Sequence, residues 1–186
     1  MPARGVRIAG GTARGIPLTE PRGVRLRPTS GLVREALFNI LGARIEGATV
    51  LDLYAGTGAV GIEALSRGAA AATFIEGEAG AVTAILQSLA RTSFSEMGKV
   101  VRGRLPGALS SLHGTFDLAF MDPPYNDPTA EETLLAVAAH VRLGGTVVYE
   151  HGSRYNPPQR LPGLELEERR VYGDSALAFY VRQEGE

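Results

Sequence analysis

The chain has 186 residues, 44% of them apolar and 21% charged, with a net charge of −1. This suits one ordinary globular α/β domain with a small appendage, and the absence of any apolar run of membrane-spanning length or of a signal peptide makes a cytoplasmic protein the expectation. There is no cysteine, which excludes disulfides, Cys-ligated zinc and any mechanism that attacks a substrate with a thiolate.

The near-zero net charge hides an asymmetry. Residues 1–34 hold seven arginines (Arg4, Arg7, Arg14, Arg22, Arg25, Arg27, Arg34) against one acid, Glu20. A basic arm on a neutral-to-acidic body is the pattern of an anionic partner met at one end. Within this arm, residues 6–9 and 15–18 flank Gly10-Gly11 and predict a hairpin. Residues 19–28, rich in Pro and Arg, predict an extended loop. Thr29 or Ser30 is placed to cap a helix running to about Leu41, with Leu32, Val33, Ala36, Leu37 and Ile40 on its apolar face.

The body then alternates between strands and helices. Strands are expected at 48–54, 71–75, 99–102, 116–121 and 145–150, with helices at 59–67, 78–91 and 131–141 between them. Gly68 stops the first of these helices. This alternation implies parallel βαβ units in an open twisted sheet. The last two strands, 164–172 and 176–181, are separated only by Gly173-Asp174-Ser175, so the sheet ends in an antiparallel hairpin, as methyltransferase folds do and dehydrogenase folds usually do not. Residues 1–47 read as an Arg-rich extension and 48–186 as the main domain.

Two motifs carry chemistry. Gly56-Thr-Gly58-Ala-Val-Gly61 follows a strand and opens a helix, the place where glycines let backbone approach a nucleoside-type ligand. Alone it does not distinguish a nicotinamide dinucleotide from S-adenosylmethionine. Asp52, inside the preceding strand end, favours the second. A carboxylate there suits a cationic sulfonium and ammonium and would repel a pyrophosphate. Glu76 ends the second strand 20 residues after Gly56, where an acid accepts ribose hydroxyls in either class. Glu78 reads as the first-turn acid of the following helix.

The second motif, Asp122-Pro123-Pro124-Tyr125, follows the fourth strand at the sheet edge where α/β proteins bind ligands. Asp122 can accept a hydrogen bond from an amine. The prolines stiffen the loop and leave carbonyls as acceptors. Tyr125 offers a face on which a base stacks, worth about 1–3 kcal/mol. An exocyclic amine delocalises its lone pair into the ring, so acceptors that favour a pyramidal nitrogen would aim that lone pair at a methyl carbon. Such catalysis is mostly positioning. Glu150, ending the fifth strand, lies near this site. His113, His140 and His151 show no metal spacing.

Asp52-Leu-Tyr-Ala-Gly-Thr-Gly58 and Asp122-Pro-Pro-Tyr125 resemble the cofactor and catalytic motifs of class I amino-methyltransferases. Arg7-Ile-Ala-Gly-Gly-Thr-Ala-Arg14, with Leu26-Arg-Pro-Thr29 and Val33-Arg-Glu-Ala-Leu-Phe38-Asn39, is similar to the RsmD family, and the similarity runs from about Arg4 to Arg182. That resemblance implies a Rossmann-like, seven-stranded, mostly parallel sheet with an N-terminal hairpin and an antiparallel C-terminal hairpin. It implies methyl transfer from S-adenosyl-L-methionine, leaving S-adenosyl-L-homocysteine, to the N2 amine of a guanine in bacterial 16S rRNA, with no metal. Cofactor contacts would come from Arg27, Pro28, Thr29, Asp52, Tyr54, Ala55, Gly56, Thr57, Gly58 and Glu76. Asp122, Pro123 and Tyr125 would hold the guanine. Where many relatives have an Asp or Asn for the cofactor adenine, this chain has Arg102-Gly-Arg104-Leu-Pro106, so backbone atoms are expected to serve there.

Arg4, Arg7, Arg14, Arg22 and Arg25 would meet rRNA phosphates. The expected partner is 16S rRNA in an assembled or partly assembled 30S subunit, met by a monomer away from membranes. The same chemistry on DNA adenine N6 or on a protein glutamine amide is the alternative substrate class. A nicotinamide oxidoreductase or a noncatalytic RNA binder would leave one or both motifs without a purpose.

Overall fold

The computed structural model describes residues 5–21 and 31–184. Its sheet is built from β1 (Thr49–Leu53), β2 (Ala71–Glu76), β3 (Gly98–Arg102), β4 (Phe116–Met121), β5 (Val141–Gly152), β6 (Arg160–Leu161), β7 (Leu164–Tyr172) and β8 (Ser175–Arg182). The helices are α1 (Gly31–Leu41), α2 (Ala59–Ser66), α3 (Ala79–Arg91) and α4 (Ala130–Val137). The strand order is β3-β2-β1-β4-β5-β8-β7-β6, so the sheet has eight strands rather than the expected seven. The extra one, β6, is two residues long and pairs with β7 at Arg160↔Glu165 and Leu161↔Leu164.

Strands β3, β2, β1, β4 and β5 are parallel, and β8 runs antiparallel between β5 and β7. The chain leaves β1 for β2 and β3 on one side, then crosses to β4 and β5 on the other. The switch therefore falls between β1 and β4, which are paired as far as Leu53↔Met121. Ligands of open α/β sheets settle in the crevice outside such a point.

Both faces of the sheet are covered, which is why the inner strands read as nearly continuous apolar runs. On one face Val50, Phe74, Leu118, Phe120 and Val148 pack with α1, α2, α3 and the N-terminal segment. On the other, Leu51, Leu53, Met121, Val147 and Tyr149 pack with Leu134 and Val137 of α4 and with Leu109 and Leu112.

The N-terminal segment is paired like a hairpin, with Ile8 N–H donating to Ile16 O and Leu18 N–H to Val6 O, but the ladder is reduced to a bridge at Arg7↔Pro17. Its turn is wider than a Gly-Gly pair. Gly11 has φ +75°, and a Cβ there would stand 1.8 Å from Ser66 O, so the turn is pressed onto the end of α2. Thr12 N–H donates to Ser66 O, Ala13 N–H to Ser66 Oγ, and Ser66 Oγ to Gly10 O. Ile8, Ala13 and Leu18 complete the burial.

Glu63 fastens this extension further. It is fully buried within α2, whose eight residues are all buried. Its carboxylate accepts Arg34 Nε at 2.9 Å, Arg67 Nη2 at 2.8 Å and the Ala9 N–H at 3.2 Å. Arg34 also donates to Arg7 O at 2.7 Å, and Arg67 lies over the Phe38 ring, 4.9 Å from its centroid.

The buried side of α1 is consequently Val33, Arg34, Leu37, Phe38 and Leu41. This is a regular three-four stripe, rotated from the expected one: Leu32 is 69% exposed, because Arg34 occupies the stripe with its counterion. The helix expected over 131–141 is shorter too. It gives way at Ala138–His140 to a 3-10 turn, and Val141 already belongs to β5.

Candidate active site

The carboxyl ends of four neighbouring parallel strands each present an acid. Asp52 stands two residues beyond Val50 in β1, Glu76 two beyond Phe74 in β2, Glu150 two beyond Val148 in β5, and Asp122 two beyond Phe120, just past β4. Residues two apart share a face of a strand. Glu76, Asp52 and Glu150 therefore lie on the face packed by α1–α3, and Asp122 follows β4 between Asp52 and Glu150, near enough for its charge to act on Asp52. They straddle the switch point.

Between Asp52 and α2 the glycine loop makes a tight turn. Gly56 and Gly58 have φ of +56° and +73°, and Gly58 is the residue immediately before the helix. Such turns leave N–H groups directed outward at a helix start, as a close-lying ligand requires. Gly61 has a different task. A Cβ there would stand 2.2 Å from Phe74 Cε1, so glycine lets α2 lie directly on β2.

Two acids are tied to this loop. Asp52 accepts the Gly61 N–H at 2.9 Å. Glu76 accepts Gly56 N–H on one oxygen and Glu78 N–H on the other, each at 2.8 Å, so its carboxylate is fixed against the loop it would share with a ligand. Burial pushes the Asp52 carboxyl from its ordinary 3.8 up to about 8; the Gly61 amide works against this, and the charges of Asp122 and Glu76 reinforce it. Acids gathered along one crevice suit a cationic ligand, as a sulfonium with its ammonium would be.

The shift has a consequence for stability. The folded protein holds a proton on Asp52 that the unfolded chain releases above pH 3.8. Stability from this group is therefore lost progressively as pH rises from about 4 to about 8, and is level above that. Asp52→Asn keeps an acceptor for Gly61 and removes the titration. We expect the urea midpoint of the variant to fall less between pH 5 and pH 9 than that of the unaltered protein; equal slopes would refute the assignment.

Tyr54 has φ +57°, and its hydroxyl is turned away from the acids to Thr133 of α4, at 3.0 Å. It couples the glycine loop to the opposite layer, and burial raises its pKa to about 12. Ala55 and Thr57 are buried within the loop.

Asp122 and Pro123 are half-buried, whereas Tyr125 is 81% exposed. The Tyr125 ring lies beside Gly152 at the end of β5, where a Cβ would meet its Cε2 at 3.7 Å. The rest of the loop is pinned by Asp127, which accepts Thr129 N–H and Oγ1 ahead of α4. Arg102, which ends β3, and Arg104, just beyond it, are exposed, and Gly103 N–H donates to Glu76 O, so this connection folds back against β2. Of the arginine arm, Arg7 and Arg14 are exposed, and Arg7 donates to Gly15 O. Arg4, Arg22, Arg25, Arg27, Pro28 and Thr29 lie outside the described residues.

One group has no signal in the sequence. Tyr149, His151 and Tyr155 pack ring against ring, with centroids 5.2–6.2 Å apart, and Tyr155 donates to Glu131 at 2.5 Å. They buttress the site from the α4 face. His151 is buried with Nδ1 against Gly152 O, and burial lowers its pKa. Among the described residues no cluster of three or more His, Asp or Glu is arranged to hold a metal ion, and no helix is long and apolar enough to cross a membrane.

Comparison with known proteins bears on this arrangement. Residues 6–181 match the family described as Conserved hypothetical protein 95. The chain is 35% identical over 180 residues to ribosomal RNA small subunit methyltransferase D of Escherichia coli K12, covering 96% of this chain and 90% of that one. Among solved structures, it is similar to a candidate methyltransferase of Escherichia coli with a TM-score of 0.81 and 32% identity, covering 96% of this chain and 98% of that one. An RNA methyltransferase of Salinibacter ruber in complex with S-adenosyl-L-homocysteine shares the fold, with a TM-score of 0.66 at 13% identity over 86% of this chain and 96% of that one.

Proposed function

The chain belongs to the Conserved hypothetical protein 95 family, the RsmD family of small-subunit rRNA methyltransferases, and on that premise we propose that it methylates the exocyclic N2 amine of a guanine in 16S rRNA. The observation that carries the reading is the meeting of two loops at one switch point: Asp52–Gly58 at the end of β1 and Asp122–Tyr125 at the end of β4. One loop is shaped for a cationic nucleoside, and the other offers acceptors and an exposed ring to an amine-bearing base.

S-adenosyl-L-methionine, when bound, supplies a methyl group on a sulfonium sulfur already prepared to leave. The chain's own residues do the rest by placement. Glu76 takes ribose hydroxyls while remaining tied to Gly56 and Glu78. Asp52 holds the loop through Gly61, and the ligand's cationic end, brought beside it, would draw off the proton that burial keeps there and leave a carboxylate facing the positive charge. Tyr54, Ala55, Gly56, Thr57 and Gly58 line the approach, and Arg27, Pro28 and Thr29 complete the cofactor side as the family resemblance implies. Asp122 and the carbonyl of Pro123 accept the N2 hydrogens and turn the nitrogen lone pair out of the ring plane, and the proton that the methylated amine must lose leaves along the hydrogen bond to Asp122 and on to solvent. Tyr125 stacks the base. Holding nitrogen and methyl carbon in line supplies up to about 7–11 kcal/mol of the barrier lowering.

Arg4, Arg7, Arg14, Arg22 and Arg25 contact phosphates and orient the RNA without reading its sequence. The substrate is rRNA presented within a 30S particle, and the chain acts as a monomer: among the described residues, the exposed large apolar side chains are spread over α1, α3, α4, β5, β7 and the Tyr125 loop.

The test is direct. The protein is incubated with S-adenosylmethionine and 30S particles lacking the modification, and the digested rRNA is resolved into nucleosides. N2-methylguanosine as the new product is the expected outcome. N6-methyladenosine, or no methylated nucleoside, would overturn the reading.

A further inference from the structure

We propose that Glu150 reads the guanine: its carboxylate accepts the N1–H of the target base beside Asp122, which takes the N2 amine. The inference rests on the guanine-N2 reading above and names the residue that enforces it.

Glu150 is 7% exposed, on the strand adjacent to β4. The β4–β5 register runs Phe120↔Val148 and Met121↔Tyr149, so the next pair in line is Asp122 and Glu150. Neighbouring strands stand about 4.8 Å apart. This is close to the scale on which two acceptors meet neighbouring donors on one base edge. Glu150, two residues beyond Val148, shares the face that carries Asp52, and the charge of Asp122 reaches Asp52 as well. β5 is itself paired on its far side to β8 at Glu150↔Leu177, so Glu150 sits on a strand held from both flanks rather than on a loop. The aromatic packing of Tyr149, His151 and Tyr155 fixes its neighbours on the opposite face.

The chemistry of the purines separates them at this point. On guanine, the N2 amine lies next to N1–H, so two adjacent donors face outward. On adenine, the N6 amine lies next to an unprotonated N1, an acceptor. A paired set of carboxylates matches the first edge and opposes the second. A buried carboxylate is effective in both respects, because hydrogen bonds strengthen and unmatched lone pairs cost more where water is excluded. Sites built to hydrogen-bond one substrate N–H reject analogues lacking it by up to about 10⁴–10⁵-fold. Asp122 alone accepts either amine; Glu150 beside it accepts only guanine.

The probe is 2-aminopurine riboside, which keeps the 2-amine but carries an unprotonated N1. It is placed at the mapped target in rRNA reconstituted into 30S particles, and kcat/KM is measured against the guanosine form, with S-adenosylhomocysteine affinity as the check on folding. The unaltered protein is expected to favour guanine by 100-fold or more. Glu150→Gln, whose amide can donate to an unprotonated N1, is expected to narrow that preference to below 10-fold while S-adenosylhomocysteine affinity is retained. A purely structural role would lower both rates together and leave the ratio. An unchanged ratio in Glu150→Gln overturns the proposal. So does equal use of the two bases by the unaltered protein, a result that requires no variant. Failure to methylate guanine N2 at all would instead overturn the function on which the inference rests.

Discussion

Asp122→Ala is expected to lower methyl transfer to 30S particles by about 10²–10³-fold, the cost of removing a group that aims or stabilises a reacting centre. S-adenosylhomocysteine should still bind within a few-fold of its normal affinity. The reason lies in the placement: Asp122 stands past the end of β4, while the amide contacts that hold the glycine loop come from Asp52 and Glu76. Loss should appear in kcat at saturating cofactor, because the acceptor is needed when the amine changes geometry and less while the base stacks. Transfer assays with isothermal titration separate the two. Undiminished transfer would remove Asp122 from the mechanism, and loss of both together would make it a cofactor ligand.

Arg34→Ala should be the most damaging change away from the site. Glu63 is fully buried between Arg34 and Arg67, and Arg34 is itself buried. Removing one partner of a buried ion pair costs about 3–5 kcal/mol when the remaining charge is left alone, and because Arg67 stays on Glu63 the lower end, about 3 kcal/mol, is expected. In a domain of this size, that corresponds to a loss of about 6–12 °C in Tm. Arg34 also donates to Arg7 O, so the N-terminal segment should loosen, which hydrogen exchange at Ile8 and Leu18 would report. Arg34→Lys should rescue only part, since a single ammonium does not reproduce the two-directional fork to Glu63 and Arg7. A Tm within 2 °C of the unaltered protein would refute the account.

These two residues also mark what the sequence displayed and what it concealed. The place of Asp122 at the sheet edge was legible because a rigid, unusual tetrapeptide follows an apolar run that ends without ambiguity; the strand before it was expected at 116–121, and β4 has those bounds. The place of Asp52 and the glycine loop was legible for the same reason, since both lie within one strand-turn-helix. Arg34 was not. A buried charge interrupts the apolar pattern, and its counterion lies 29 residues away in α2, so the helix face was expected one step round, with Leu32 inside.

Other differences share this cause. β5 was expected from residue 145, but it begins at Val141, which pairs with Phe116; the exposed Arg142–Gly144 then bulge out before pairing with β4 resumes at Thr146, and this hides the start of the strand. β6 is too short to show a period. The Tyr149–His151–Tyr155 packing depends on bringing β5, the following loop and Glu131 of α4 together, a matter of topology rather than spacing. The double amide grip of Glu76 was hidden as well, although the residue itself was conspicuous.

The position of β8 bears on how the molecule is made. Synthesis delivers β5, then β6 and β7, and only then Ser175–Arg182, which must enter between β5 and β7. Before that insertion, both flanking strands present unpaired N–H and C=O groups, and β5 does so with an apolar run, Val147–Tyr149, that is buried in the finished sheet. Such edges invite pairing with other chains. A nascent chain can pair β1 with β4 before β8 exists, whereas β5, the strand of Glu150, keeps an open edge until β8 arrives, and that interval is when the chain is most exposed to aggregation.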